Sequence, residues 1–155
     1  MEPSNKESAR LVKHLLSTLD ADEETTSEEL WMEEAERRHA DYRAGRIASK
    51  TAEQILREPG TKLTSTAFLG PAEAEMVGAA EFYESQGSGL GKDFLDEVQR
   101  SVELITQNPR SGSLVRAEIR RRFLRRLPFG ILYRIDSEEI VIAAVMHLRI
   151  RPGYW

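Results

Sequence analysis

The chain contains no cysteine. Disulfides and thiolate metal sites are thereby excluded, and the composition suits a reducing compartment. Long apolar runs are missing as well. The longest, Ile140 to Met146, falls far short of the roughly eighteen residues that cross a bilayer. The opening stretch MEPSNKESAR has no apolar segment of the secretion-signal kind, so a cytoplasmic protein without a membrane partner is expected. Three histidines, His14, His39 and His147, are scattered without metal-ligand spacing, so no metal and no other cofactor is expected. Lysine disappears after Lys92, which leaves arginine as the fixed cation of everything that follows.

What is present is a contrast between the two ends. Residues 110–155 hold ten Lys/Arg against four Asp/Glu, a balance of +6. Nine arginines fall within 116–151, including Arg120-Arg121-Arg122 and Arg125-Arg126. Residues 1–60 hold nine basic against fourteen acidic side chains, a balance of −5, with Asp20, Asp22, Glu23, Glu24, Glu28, Glu29, Glu33, Glu34 and Glu36 clustered. The overall charge of −4 hides a cationic surface fit for an anionic partner and an acidic segment able to cover it. An alternative stands beside this: strand arginines can simply solvate an exposed sheet face.

Up to Pro59-Gly60 the chain reads as helices. Ser4-x-x-Glu7 is a capping box ahead of Leu11, Val12, Leu15, Leu16 and Leu19 on one stripe. Thr26-x-x-Glu29 opens a second helix carrying Leu30, Trp31, Ala35 and Tyr42 and ending at Gly45. A third, short helix starts at Ser49 or Thr51 and carries Ala52, Ile55 and Leu56. These stripes are too narrow to hold a core among themselves, so the helices are expected to fold against a partner surface. Beyond Gly60 a strand is predicted over Leu63–Leu69, and Gly70-Pro71 opens a helix with Met76, Ala79, Ala80 and Tyr83 on one face. Gly87-Ser88-Gly89 turns into another helix with Leu90, Phe94, Val98, Val102 and Ile105 inward, stopped at Asn108-Pro109. Strands are predicted over Ile119–Leu127, Phe129–Ile135 and Ile140–Leu148; the last is apolar on both faces and so central. The sum is an α+β fold: a helical segment over 1–60, then a β-α-α-β-β-β domain over 61–155 with a helical hairpin on a small antiparallel sheet.

Pro71-Ala72-Glu73-Ala74-Glu75, Ala79-Ala80, Tyr83-Glu84, Gly89-Leu90-Gly91, Phe94-Leu95 and Val98 form one set of motifs. Asn108-Pro109, Arg122-Phe123, Pro128-Phe129, Ile131-Leu132-Tyr133, Ala144-Val145-Met146-His147 and Arg151-Pro152-Gly153-Tyr154-Trp155 continue it. As a set, these resemble the RelE/ParE superfamily of bacterial toxin–antitoxin modules over nearly all of 62–155. Residues 4–58 resemble the small helical antitoxins called addiction module components, through Leu15-Leu16-Ser17, Leu19-Asp20, Trp31, Glu34-Ala35, Arg37-Arg38, Tyr42, Gly45 and Glu53 to Leu56. The resemblance implies an antitoxin fused ahead of its toxin, with contacts through Leu15, Leu19, Trp31, Tyr42, Ile55 and Leu56. These contacts form either within one chain or swapped between two copies in a homodimer.

Two toxin activities are implied and they differ in kind. ParE-like members bind and poison DNA gyrase without cleavage chemistry of their own. RelE-like members are ribosome-dependent messenger RNA endonucleases. Cleavage through a 2′-hydroxyl needs a base, an acid and cations around the phosphate. Arg122, Arg125 and Arg149 are the candidate cations, with His147 and Tyr133 the candidate proton handlers. Each has a plainer reading: His147 ends a buried strand, and Tyr133 alternates with Ile131 and Ile135 as a core ring would. Ile150 stands where the resemblance implies a basic residue, and the lysine-rich patch of RelE-like nucleases is missing. The expectation therefore leans to gyrase inhibition, with a silenced nuclease, a toxin reduced to an interaction module, and an autorepressor of promoter DNA as alternatives.

Overall fold

The computed structural model describes residues 27–56, 65–137 and 139–153. The expected stripe of Leu11 to Leu19, with Leu15 among it, and the terminal Trp155 lie outside the described residues.

Helix α1 is seen over 27–43. Arg37 pairs with Glu34 and Asp41 one turn either way along it, and Gly45 (φ +80°) turns the chain out of the helix in the left-handed region. A short strand follows, β1 (Ser49–Thr51), and then α2 (Ala52–Leu56). Thr51 and Gln54 cap α2 reciprocally: the Gln54 N–H donates to Thr51 Oγ1 at 3.1 Å, and the Thr51 N–H to Gln54 Oε1 at 2.8 Å. Strand β2 (Ser65–Leu69) leads directly into α3 (Gly70–Gln86), with proline in the first helical turn, and α4 (Leu90–Gln107) returns antiparallel to it. Gly91 permits that return, because a Cβ there would meet the Ala80 carbonyl oxygen at 2.6 Å. After a single 3₁₀ turn (Pro109–Ser111) come β3 (Ser113–Arg116), β4 (Ile119–Phe123), β5 (Phe129–Asp136) and β6 (Glu139–His147).

The sheet order is β1-β2-β6-β5-β4-β3. As expected, β6 is central and buried on both faces. Three points correct the sequence reading. The sheet is mixed, since β2 runs parallel to β6 from Ser65↔Glu139 to Phe68↔Ile142. Strands β1 and β3 extend it at both edges. The strand expected to reach Leu127 ends at Phe123, where Arg125 and Arg126 take the chain into a turn, Arg126 with φ +66°.

Each face of the sheet carries its own core. On one side α3 and α4 bring Met76, Phe94, Val98 and Ile105 onto Phe68, Phe129, Ile131, Tyr133, Ile140 and Ile142. On the other, Trp31 and Ala35 of α1 lie against Leu69, Ile119, Leu132, Val141, Ala143, Ala144 and Met146. The sheet is thus a middle layer, and the acidic N-terminal part supplies one of the two outer layers.

Candidate functional site

The N-terminal helix binds the sheet through an apolar anchor and a buried ion pair. Trp31 is fully buried, and its indole N–H donates to the Ile150 carbonyl at 2.7 Å, which ties the C-terminal tail to α1. One, two and three turns further along, Ala35, Arg38 and Tyr42 continue the same stripe. Arg38 is only 1% exposed and lies over the Trp31 ring at 5.8 Å. Its partners follow from the topology. Because β2 stops pairing at Ile142, the next backbone groups of β6 on that side have no neighbouring strand. Glu75, on the inward face of α3, accepts the Val145 N–H at 3.0 Å. Arg38 donates to the Ala143 carbonyl at 3.0 Å and holds the Glu75 carboxylate by two bonds of 3.0 and 2.6 Å. One charge from each outer layer therefore closes the exposed flank of the central strand.

This pair is electrostatically tense. Burial pushes the Glu75 carboxyl up, and Arg38 and the Val145 amide offset that only in part. Burial also works against the Arg38 charge, but Glu75 and Glu34 outweigh it and leave Arg38 above the usual arginine range. The guanidinium stays charged throughout, and its two-pronged contact matches a carboxylate. The stability of the pair rests on both partners being present.

Around this centre the charges of α1 meet the sheet at single points. Glu28 pairs with Arg121, Glu36 with Arg116 at 2.8 Å, and Tyr42 donates to Glu139 at 3.0 Å. His39 Nε2 stands 2.7 Å from Asp136, which also takes Arg134 at 3.2 Å. Glu34 turns back onto Arg37 and Arg38 of its own helix, and Glu29 and Glu33 are exposed. The acidic cover expected from composition is thus a minor part of the contact among the described residues. Strand β1 adds a backbone seam by pairing antiparallel with β2, and Ile55 and Leu56 pack at the edge of the hairpin-side core.

The candidate cleavage residues stand on different elements: Arg122 on β4, Arg125 in the turn after it, Tyr133 on β5, His147 at the end of β6 and Arg149 beyond it. Tyr133 is fully buried; its hydroxyl donates to the Pro109 carbonyl at 2.6 Å and accepts the Gly112 N–H at 2.9 Å. The hydroxyl is engaged both as donor and as acceptor on the turn before β3 and ties that turn to the sheet. Tyr133→Phe is expected to cost about 1–2 kcal/mol in a thermal melt and to leave any cellular effect of the protein unchanged. His147 packs edge-on against Phe129 at 4.8 Å, and its Nδ1 accepts the Arg149 N–H at 3.0 Å. Burial, helped by Arg149, pulls its pKa below the ordinary histidine value. The unfolded chain then binds the proton more readily, so stability is complete above roughly pH 6.5 and declines as pH falls below it. His147→Gln should remove that acid-side decline from a series of melts. Arg122 shares the hairpin-side face with His147, two strand pairings and one register step away, roughly 12 Å between Cα positions. It donates to Ser111 Oγ at 3.0 Å, whereas Arg125 and Arg149 are exposed. Sequence reading missed Arg38 and Glu75. The signal was available: each is a charge at a helical spacing reserved for apolar residues, Arg38 seven after Trp31 and Glu75 three after Ala72.

Residues 67–152 match the family described as the ParE toxin of type II toxin–antitoxin systems. The chain belongs to that ParE toxin family. Its N-terminal residues 4–55 match the family described as putative addiction module components, so an antitoxin-like segment precedes the ParE domain in one polypeptide. A chain from a structure titled "Chromosomal ParDE TA system from P. aeruginosa" is similar in fold, with a TM-score of 0.50 and 20% identity over 55% of this chain and 96% of that one. No curated protein matches significantly. Among the described residues no helix is long and apolar enough to cross a membrane, and no cluster of metal-ligating side chains occurs. Helix α1 of the antitoxin-like segment covers the face of the ParE sheet turned away from the α3–α4 hairpin.

Proposed function

We propose that this chain is a self-silenced toxin–antitoxin module in which residues 1–60 act as the antitoxin and residues 61–155 as a gyrase-directed toxin. The observation that carries the reading is the composition of the covered face. Trp31, Ala35 and Arg38 are buried against the ParE sheet as core residues, and a contact of that kind does not dissociate by charge screening. Tyr42 adds to the same contact, and Ile55 and Leu56 pack at the hairpin-side core; Leu15 and Leu19, outside the described residues, belong to the same antitoxin-like segment. The choice of gyrase over messenger RNA is supported by the chemistry of the other candidates. Tyr133 bonds to backbone, and Arg122 and His147 stand on different strands, which favours a binding surface over a cleavage site among the described residues. What remains is a contact surface, with Arg125, Arg126 and the half-exposed Phe123 at the end of β4. Such a module needs no cofactor and works in the cytoplasm.

The test is induction of residues 62–155 in bacterial cells, alongside the intact chain and the intact chain carrying Arg38→Ala. The intact chain should be harmless, and either altered form should induce the DNA-damage response with messenger RNA uncut. Cut messenger RNA without DNA damage would replace gyrase inhibition by the nuclease reading. A gel shift on the upstream promoter is expected to be negative, given the acidic N-terminal part.

A further inference from the structure

The two halves of the Arg38–Glu75 contact come from different modules. Glu75, Ala143 and Val145 lie within the ParE match over 67–152, whereas Arg38 lies within the addiction-module match over 4–55. The ParE domain thus supplies these acceptors and the other module supplies the cation.

How the acceptors are held decides what they are without Arg38. Ala72, Met76 and Ala79 seat α3 in the hairpin-side core on either side of Glu75. The Glu75 carboxylate is then fixed by the Val145 N–H at 3.0 Å, a bond made inside the ParE domain. The Ala143 carbonyl belongs to β6, just beyond the point where β2 stops pairing with it. Both acceptors are therefore placed by the domain's own packing, and the site is preformed.

The shape of the site selects its ligand. Arg38 Nη1 donates to Glu75 Oε1 and to the Ala143 carbonyl, each at 3.0 Å, and Nη2 donates to Glu75 Oε2 at 2.6 Å. Three acceptor atoms on two elements call for adjacent nitrogens on a rigid fork. A guanidinium has them, and an ammonium is a point charge. Burial makes the choice strict. The Glu75 side chain is wholly enclosed and that of Arg38 is 1% exposed, so a poorer fit leaves an acceptor unpaired. The approach is marked as well, since Trp31, seven residues earlier on the same face of α1, has its ring 5.8 Å from the guanidinium. The matching pattern is a helix with a tryptophan and an arginine two turns apart.

We propose that Glu75 and the Ala143 carbonyl form an arginine-recognition site of the ParE domain, filled by Arg38 in the intact chain and open to the arginine of a separate antitoxin-type helix when residues 1–60 are displaced. The nature of that partner rests on the antitoxin reading of residues 1–60; the guanidinium site does not.

Arg38→Ala in the full chain removes the side chain beyond Cβ, and ethylguanidinium replaces the lost atoms one for one. It is expected to raise the melting temperature of Arg38→Ala saturably, by roughly 3–6 °C at about ten times its dissociation constant. Propylammonium should give no rise, and ethylguanidinium should give none with Arg38→Ala/Glu75→Gln or with the unmodified chain. If Arg38→Ala is unfolded, ethylguanidinium should restore its helical circular dichroism. Arg38→Lys supplies an independent reading and should melt closer to Arg38→Ala than to the unmodified chain. Equal rescue by propylammonium, rescue that survives Glu75→Gln, no rescue, or an Arg38→Lys chain as stable as the unmodified one would each overturn the site. For the partner, a labelled peptide of residues 27–43 should bind the Arg38→Ala chain by fluorescence anisotropy, and the same peptide with Arg38→Lys should not. Binding of both alike, or of neither, would overturn recognition of a separate helix. A failed rescue while Arg38→Ala still releases growth inhibition would leave the antitoxin reading standing without the site. Rescue with no growth effect would leave the site standing without that reading.

Discussion

Replacing Arg38 by methionine is expected to destabilise the intact chain by about 3–5 kcal/mol, because it leaves Glu75 buried without its cation. For a chain of this length that corresponds to a melting temperature lower by roughly 6–20 °C. The cause is specific and can be isolated. Glu75 would still accept the Val145 amide, but the Ala143 carbonyl and the carboxylate would both lose their donor. The double variant Arg38→Met/Glu75→Met should recover part of the loss, since it removes the stranded charge while the Ala143 carbonyl and Val145 amide stay unpaired. The sign with pH follows from the same carboxyl. Burial already holds Glu75 above its ordinary value, and without Arg38 it rises further. A group raised in the folded state stabilises below its unfolded pKa and ceases to do so as pH climbs through the folded one. The deficit of Arg38→Met should therefore shrink in melts taken near and below pH 4. A deficit that grows toward acid, or a double variant no better than the single one, would remove the buried pair from the account.

Trp31→Ala is expected to cost about 3–5 kcal/mol and to release the toxin as Arg38→Ala does. The side chain is wholly enclosed, and its loss opens a cavity against Leu132, Ala144 and Met146 at the middle of the sheet. It also frees the Ile150 carbonyl, so the tail after β6 loses its anchor on the helix. Trp31→Phe separates the two effects. It keeps most of the packing and drops the indole hydrogen bond, at about 1 kcal/mol with the cover still in place. Growth curves beside thermal melts read both outcomes: Trp31→Ala should slow growth on induction, and Trp31→Phe should not. Slow growth from both variants in equal measure would make the tail anchor, and not the packing, the silencing contact.

The parts of this fold that were legible in the sequence are those with a strong period or a stop signal. The α3–α4 hairpin, the all-apolar β6 and the glycine after α1 each follow from residues a few positions apart. Strands β1 and β3 were not legible, because Ser49–Thr51 and Ser113–Arg116 are short, largely exposed edges that exist only where a neighbour offers hydrogen bonds. The ion pair was hidden for a related reason. Arg38 and Glu75 are 37 residues apart on helices of different layers, and only the early end of β2 brings them together. Charge pattern led in the right direction but could not show which residues bear the contact. Glu28 and Glu36 do meet arginines of the sheet, but the helix is held by a tryptophan, an alanine and one buried arginine. The burial of Tyr133 was legible in its alternation with Ile131 and Ile135, whereas its bonds to the turn before β3 were not.

The central claim is that the N-terminal part is held to the ParE domain by contact and not merely by the connector. A protease site inserted between residues 57 and 64 of the full chain, cut after purification, addresses this directly. The two pieces are expected to co-elute through size exclusion in moderate salt as in low salt, with the melting temperature nearly unchanged. Separation of the pieces once the connector is cut would contradict the account.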